Sequence, residues 1–415
     1  TTINDAMSLW SANTSTVGVP GPGQVGTYMN TNMYTNANNM FEGVFAQATW
    51  HAPSIPLKAT LGLRGDFWQR NNAYVDTTPY SGTNGSTKGS TARNNFAQGN
   101  WAQFNPRFGF EYDPVEEFTL KGAVYKNFAA PGMNQLYRTY FSNGSIYASN
   151  GNLSPEQNFG QEVTASWRPT EDVEVQATFF HNWLSNYIES VQLCGSTVGT
   201  ESNGKCNQAA TNVGYGPYAT AQGATGVSGV NQNQNVGNAT MMGWEGVIRW
   251  KPMDSLNLNF GITQVEAYLN GLNPYINGLN HGSPSGTPVV VTNKQLPYVM
   301  PWTITQTADW NLSDLLLDGL NFNYVIKAWP AYYSSTLQQQ YGNTANWNSS
   351  NNSTTVTGAL TADLGISYQA FKQVNFTLTA QNVGNRYYMQ SPSSNSSPGT
   401  LGMPFNLMGG VRITW

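Results

Sequence analysis

Few residues in this chain have the types and spacing that catalysis needs. His51, His181 and His281 stand far apart, and none has the i, i+4 or His-x-His spacing of a metal site. No Gly-x-Ser-x-Gly turn is present to raise a nucleophilic serine above a sheet. The Gly-rich segments GPGQVG and GATGVSG are not followed by a helical pattern, so they read as loops and not as phosphate cradles. Cys194 and Cys206 are the only cysteines, twelve residues apart in a polar, Gly-rich stretch. They are either a disulfide clamping a loop in an oxidising compartment or two free thiols. The lack of a Cys-x-x-Cys metal spacing and of a nearby His cluster favours the disulfide. The reading is therefore of a non-enzyme with no catalytic residue, no metal site and no cofactor.

Composition narrows the class. Only 10% of the 415 residues are charged, against roughly 25% in ordinary soluble domains. Aromatic residues make up 13%, yet the mean hydropathy of -0.40 is polar, because Asn, Gln, Ser and Thr fill the gap left by charge. A net charge of -4 gives no basis for nucleic-acid binding. No apolar run reaches the ~18 residues of a transmembrane helix, which is neutral for a barrel that crosses with alternating strands. No signal peptide or initial Met is present, which is expected of a processed chain or of a fragment.

The elements that would position any binding residues are strands. Leu256, Leu258, Phe260 and Ile262 alternate with Asn257, Asn259, Gly261 and Thr263, and Val374, Phe376, Leu378 and Ala380 with Asn375, Thr377, Thr379 and Gln381. The same period of two runs through 57–64, 173–180 and 320–327 and marks strands with one apolar and one polar face. Connections are of two kinds. Short ones follow an aromatic residue: Trp50 to Leu57, Tyr112 to Phe118, Trp167 to Val173, Trp250 to Leu256, Trp310 to Leu320 and Tyr368 to Val374. Four of these hold a proline, expected in the turn itself: Pro53, Pro114, Pro169 and Pro252. Long polar connections occupy 69–102, 129–156, 193–236, 269–298, 331–356 and 389–404.

Short turns alternating with long loops and an aromatic girdle predict an all-β fold, a transmembrane antiparallel up-and-down β-barrel. A soluble sandwich, the alternative, does not accommodate several loops of ~25–40 residues. Residues 1–40 read as an extracellular-loop-like segment and 41–415 as an outer-membrane β-barrel of about thirteen strands. That odd number predicts an incomplete part of a ~22-stranded barrel. The final stripe of Phe405, Leu407, Gly409, Val411, Ile413 and Trp415 resembles the C-terminal strand that the barrel assembly machinery recognises, with Trp415 as the signal.

Several segments resemble the barrel portion of TonB-dependent outer-membrane receptors. VYKNFAAPGMNQLY (Val124–Tyr137) is similar to the family's aromatic-x-Ala-Pro segment, and Asn152–Glu156 to its Asn-Leu-x-Pro-Glu segment. Near the end, Gln381–Tyr388 resembles the penultimate-strand motif, and Pro297 and Pro301 the Pro-x-x-x-Pro that opens a late strand. Ala129 and Gly384 depart from the family pattern, and the plug and TonB-contacting box are not in this sequence.

The resemblance implies a receptor in the outer membrane of a Gram-negative bacterium that captures a scarce ligand, foremost a ferric siderophore. TonB acting through a plug would then release the ligand inward, and the implied partners are TonB, the ligand, outer-membrane lipid and the assembly machinery. Implied ligand contacts are Tyr137, Arg138, Tyr140 and Phe141 after the Ala-Pro segment, and Trp329, Tyr332 and Tyr333 atop a later hairpin. Their rings would stack on a flat chelator while Arg138 pairs with an anionic complex, or else these residues form the upper aromatic girdle or pack loop against loop. Arg64 and Lys121, on polar faces, are expected to pair with plug carboxylates. A passive porin or an adhesin-like barrel are the alternatives.

Overall fold

The computed structural model describes residues 2–12, 28–81, 87–142, 145–195, 229–272, 294–296, 298–333, 355–391 and 400–415. Cys206, His281, Pro297 and GPGQVG lie outside the described residues, and so does the proposed Cys194–Cys206 pairing.

The described residues form one antiparallel meander of fourteen strands. They are β1 (Thr2–Ala12), β2 (Tyr28–His51), β3 (Leu57–Ser81), β4 (Gly99–Val115), β5 (Phe118–Ala129), β6 (Glu156–Thr170) and β7 (Val173–Gly195). Then follow β8 (Gly229–Met253), β9 (Leu256–Leu272), β10 (Trp302–Asn311), β11 (Leu320–Trp329), β12 (Ala359–Phe371), β13 (Val374–Gln381) and β14 (Asn406–Ile413). Each pairs with its neighbours in sequence. Among the described residues no ladder joins β1 to β14, so the sheet stays open, in keeping with an incomplete barrel. No helix among the described residues is long and apolar enough to cross a membrane, which says nothing of a strand-built wall.

Register sorts the two faces. Leu61 lies opposite Phe108, Val163 opposite Phe179, Ile248 opposite Phe260, Phe322 opposite Ile366, and Leu378 opposite Gly409. Thr60 lies opposite Thr49, Thr164 opposite Thr178, and Asn259 opposite Thr307. Apolar residues thus meet apolar residues across these ladders, and the large apolar side chains stay exposed: Val44 67%, Trp244 57%, Leu407 57%. A continuous exposed apolar surface of this kind needs a lipid or protein environment.

Two expectations are corrected by the ladders. Residues 1–40, read as a loop, contain β1 and the start of β2, paired from Thr2 with Asn38 to Ala12 with Tyr28. The meander therefore has fourteen strands instead of thirteen. These strands lack apolar alternation, yet their backbones still pair. The same holds where β3, β7, β8 and β9 run on into segments read as loops.

The prolines are the second correction. Pro114, Pro169 and Pro252 sit in bulges just before two-residue turns, at the register shifts Tyr112/Val115, Trp167/Thr170 and Trp250/Met253. A bulged residue needs no ladder N–H, so proline costs little there. Only Pro53 lies in the turn proper.

The face assignment makes a paired prediction. Leu378→Arg, on the apolar face, should destabilise the folded barrel by about 2–4 kcal/mol, whereas Thr379→Arg on the polar face should cost little. The folded fraction, read from the heat-modifiable band as urea is raised, checks this. Equal losses in both variants would overturn the assignment.

Candidate ligand-binding face

The segment between β5 and β6 folds onto the polar face. Its one helical turn, Met133–Tyr137, starts at Gly132, whose N–H donates to Gln135 Oε1 (2.8 Å). Leu136, Tyr137 and Leu153 are each no more than 1% exposed, clustered with Ala37, Trp68 and Ala73, and Phe96 and Trp101 pack alongside. Trp68 and Trp101 are register partners on the polar face, so the segment lies over the interior of the curved sheet. Arg70 Nη1 donates to Gly151 O (2.7 Å) and holds it from one side. Asn235 holds it from the other, accepting from Ser154 N (2.9 Å) and donating to Ser154 O (3.0 Å) and Asn186 O (2.7 Å). Glu156 closes the segment by accepting from Ile188 N (2.7 Å).

The implied ligand contacts separate into two groups. In the first, the guanidinium of Arg138 lies 5.4 Å from the ring of Tyr140, which stacks on Tyr147 at 4.8 Å and 5°. Tyr147 was not foreseen from the sequence; its place is set by the ladder pairing Tyr140 with Tyr147. Tyr137 is buried against Phe96 at 5.3 Å, and burial raises its phenol pKa above the ordinary value. It anchors the segment and offers no open ring surface. Phe141 belongs to the short strand Tyr140–Ser142, and its side chain lies outside the described part.

In the second group, Trp329 meets Tyr388 edge-on at 5.4 Å. Tyr332 is 5% exposed and pairs across a short ladder with Val356, while the Tyr333 carbonyl accepts from Tyr298 N (2.7 Å). Tyr332, like Tyr137, packs instead of presenting a surface. The first group follows β5 and the second follows β11, so six wall strands separate them, and no ring contact joins them among the described residues.

Below the first group the polar face forms a cleft of about 810 Å³ lined by Phe45, Arg64, Asp66, Arg107, Tyr125 and Glu162, among others. Arg64 binds Asp66 (2.7 Å), and Asn105 Nδ2 donates to the same carboxylate (2.8 Å). Lys121 and Lys58 share Glu111 at 3.0 and 2.6 Å. Arg64 and Lys121, expected to pair with plug carboxylates, thus each have a carboxylate partner within the wall, two residues away or on the adjacent strand.

Asn382, in the penultimate-strand motif, is 3% exposed with φ 47. Its N–H donates to Asp363 Oδ1, its Nδ2 to the carbonyls of Arg386 and Met403, and its Oδ1 accepts from Arg386 N. Asparagine suits this position because it tolerates positive φ and can bond its own turn.

A meander with one apolar and one polar face, aromatic-edged short turns and a long connection folded onto the polar face is the wall of an outer-membrane-type barrel. A family model described as TonB dependent receptor-like, beta-barrel matches residues 4–385, and the chain belongs to that family. Among solved structures it is similar to the ferric yersiniabactin uptake receptor FyuA of Yersinia pestis, with a TM-score of 0.58 and 13% identity, covering 99% of this chain and 54% of that one. It is also similar to the ferric-catecholate import receptor Fiu of E. coli K12, with a TM-score of 0.56 and 14% identity, covering 99% and 50%. A third is the ferric enterobactin receptor PfeA of Pseudomonas aeruginosa in complex with enterobactin, with a TM-score of 0.52 and 12% identity, covering 99% and 62%. The chain thus spans between half and two thirds of the length of these structures. No curated protein matches it in sequence.

Two outcomes follow from this geometry. Tyr137→Ala should loosen the 130–155 segment by about 3–5 kcal/mol, the usual cost of truncating a buried aromatic. Limited proteolysis should then cut within 130–155 faster while the heat-modifiable band is unchanged. The second outcome concerns Asp76, beyond the apolar belt, bonded to Arg93 Nε and Nη2 (both 2.7 Å), which hold its carboxyl below the ordinary range. A carboxyl depressed by folding stabilises above its unfolded pKa of about 4 and loses that contribution as pH falls through the lower folded value. Hydrogen-exchange protection across 92–95, the ratio of intrinsic to observed rate at each pH, should be flat from neutral pH to about 4 and fall only below. Asp76→Asn should abolish that fall.

Proposed function

We propose that this chain is barrel wall of a TonB-dependent receptor in the outer membrane of a Gram-negative bacterium. The receptor takes up a ferric siderophore at the long-loop rim. One observation carries the reading: the 130–155 segment is folded onto the polar face and bears the Arg138–Tyr140–Tyr147 stack at the rim of the wall. A stacked pair of rings capped by a guanidinium suits a flat, anionic chelate, which gains both π contact and charge pairing. Receptors for ferric yersiniabactin, ferric catecholates and ferric enterobactin share the fold, which supports the siderophore class.

In this reading the long-loop rim faces outward and the short turns face the periplasm. Arg138, Tyr140, Trp329 and Tyr333 contact the ligand, and the buried Tyr137 and Tyr332 hold their segments in place. The polar face surrounds the path inward, and TonB acts through a plug domain to open it. Trp415, fully exposed beyond β14 at the short-turn rim, serves as the assembly signal.

The test uses the complete receptor expressed in an iron-limited host, scored by uptake of radiolabelled ferric siderophores and by binding to purified protein. Arg138→Ala and Tyr140→Ala should each weaken binding by about 1–2 kcal/mol, roughly 5- to 30-fold in Kd. A steady ligand-independent conductance with no siderophore binding would replace the receptor by a passive pore.

A further inference from the structure

The apolar face carries one feature that siderophore uptake does not use. Between the aromatic rows that edge that face, from β2 to β14, Lys126 is the one cation among the described residues. It shares β5's apolar face with Phe118, Leu120, Val124 and Phe128, whereas Lys121, Tyr125 and Asn127 lie on the polar side. The ladder carries the line onward: Lys126 is opposite Phe159, Phe159 opposite Trp183, and Trp183 opposite Thr240. Phe159 and Trp183 contact at 5.5 Å.

This line falls where the apolar face turns polar. One step further along β6 stands Gln157, and along β9 Asn270, whose Nδ2 donates to Thr240 Oγ1. Lys126, Gln157, Phe159, Trp183, Thr240 and Asn270 line a depression of about 410 Å³. The apolar-face carboxylates Glu42 and Glu266 sit three and four strands away, roughly 14 and 19 Å at the usual strand spacing, beyond salt-bridge reach.

We infer that this depression binds a phosphorylated membrane glycolipid, with Lys126 on the phosphate. The inference rests on the membrane reading above, because it needs the apolar face to lie against lipid. A lysine at the belt's edge lays its methylenes on apolar rings and raises its ammonium to the headgroups. The amide and hydroxyl groups of Gln157, Asn270 and Thr240 suit the sugar of such a headgroup, and the Phe159–Trp183 ledge suits acyl chain. A sugar phosphate above acyl chains, as in the outer-leaflet glycolipid lipid A, matches all three parts.

The experiment is native mass spectrometry of the complete receptor, extracted from its membrane and titrated with diphosphorylated lipid A. Lys126→Gln should lower occupancy roughly fivefold or more, Lys126→Arg should retain it, and Lys121→Gln on the polar face should leave it unchanged. Dephosphorylated lipid A should bind as weakly as it does to Lys126→Gln. Equal occupancy in wild type and Lys126→Gln, or equal loss in Lys121→Gln, overturns the site. Displacement by millimolar inorganic phosphate would make it a free-anion site and overturns the lipid assignment. Failure of the membrane reading itself would appear separately, as equal effects of Leu378→Arg and Thr379→Arg on the folded band.

Discussion

Inside a hydrocarbon layer a backbone N–H or C=O has no water to bond, and each one left unpaired costs several kcal/mol. A wall made of strands meets that constraint only if every strand finds a neighbour on both sides along its membrane-crossing length. The fourteen-strand meander does so for its inner strands, β3 to β13, and the rest of the structure follows from it. Because side chains alternate strictly along a strand, a ladder that satisfies the backbone also sorts residues into two sheets of surface. One surface is then left for lipid and the other for the interior.

The consequence for composition is direct. Apolar residues are spent on a single exterior face and polar ones on the interior, so mean hydropathy stays polar in a membrane-type fold. The interior does not rely on charge. Hydroxyl pairs such as Thr49–Thr60 and Thr164–Thr178, at 3.0 and 2.9 Å, and amide contacts such as Asn158–Asn182, at 3.1 Å, bridge adjacent strands. Several of the charges present there are paired locally, as with Arg64–Asp66 and Lys58–Glu111–Lys121. Much of the interior's hydrogen bonding thus runs through neutral groups.

At the long-loop rim the constraint relaxes, since backbone groups there can reach water or fold back on the wall. The 130–155 segment takes the second course. Its apolar residues have no lipid to face, so they bury against Trp68 and Trp101 on the polar side. The result is a rigid platform at the rim instead of a loose loop. Asn235 and Arg70, from strands on either side, tie its backbone down and set where Arg138 and Tyr140 emerge.

The period of two, the aromatic residues that edge each short turn, and the order of family-like motifs were all legible in the sequence. They define a membrane barrel of the TonB-dependent receptor type, because lipid on one side imposes a pattern that any local window carries. Where that pressure ends, so does the signal. The pairing of Thr2–Ala12 with β2, and the upper reaches of β3, β7 and β8, involve Asn-, Gln- and Thr-rich stretches with no apolar face, and only the ladder discloses them. The prolines read as turn residues proved to be bulge residues, since register, not composition, decides which N–H is left over. The stacking of Tyr140 on Tyr147, the burial of Tyr137 and Tyr332, and the alignment of Lys126 with Phe159, Trp183 and Thr240 join residues far apart in the chain. Alternation assigns a residue to a face. Which residues become neighbours on that face depends on strand register and loop closure, and those are set by the tertiary structure.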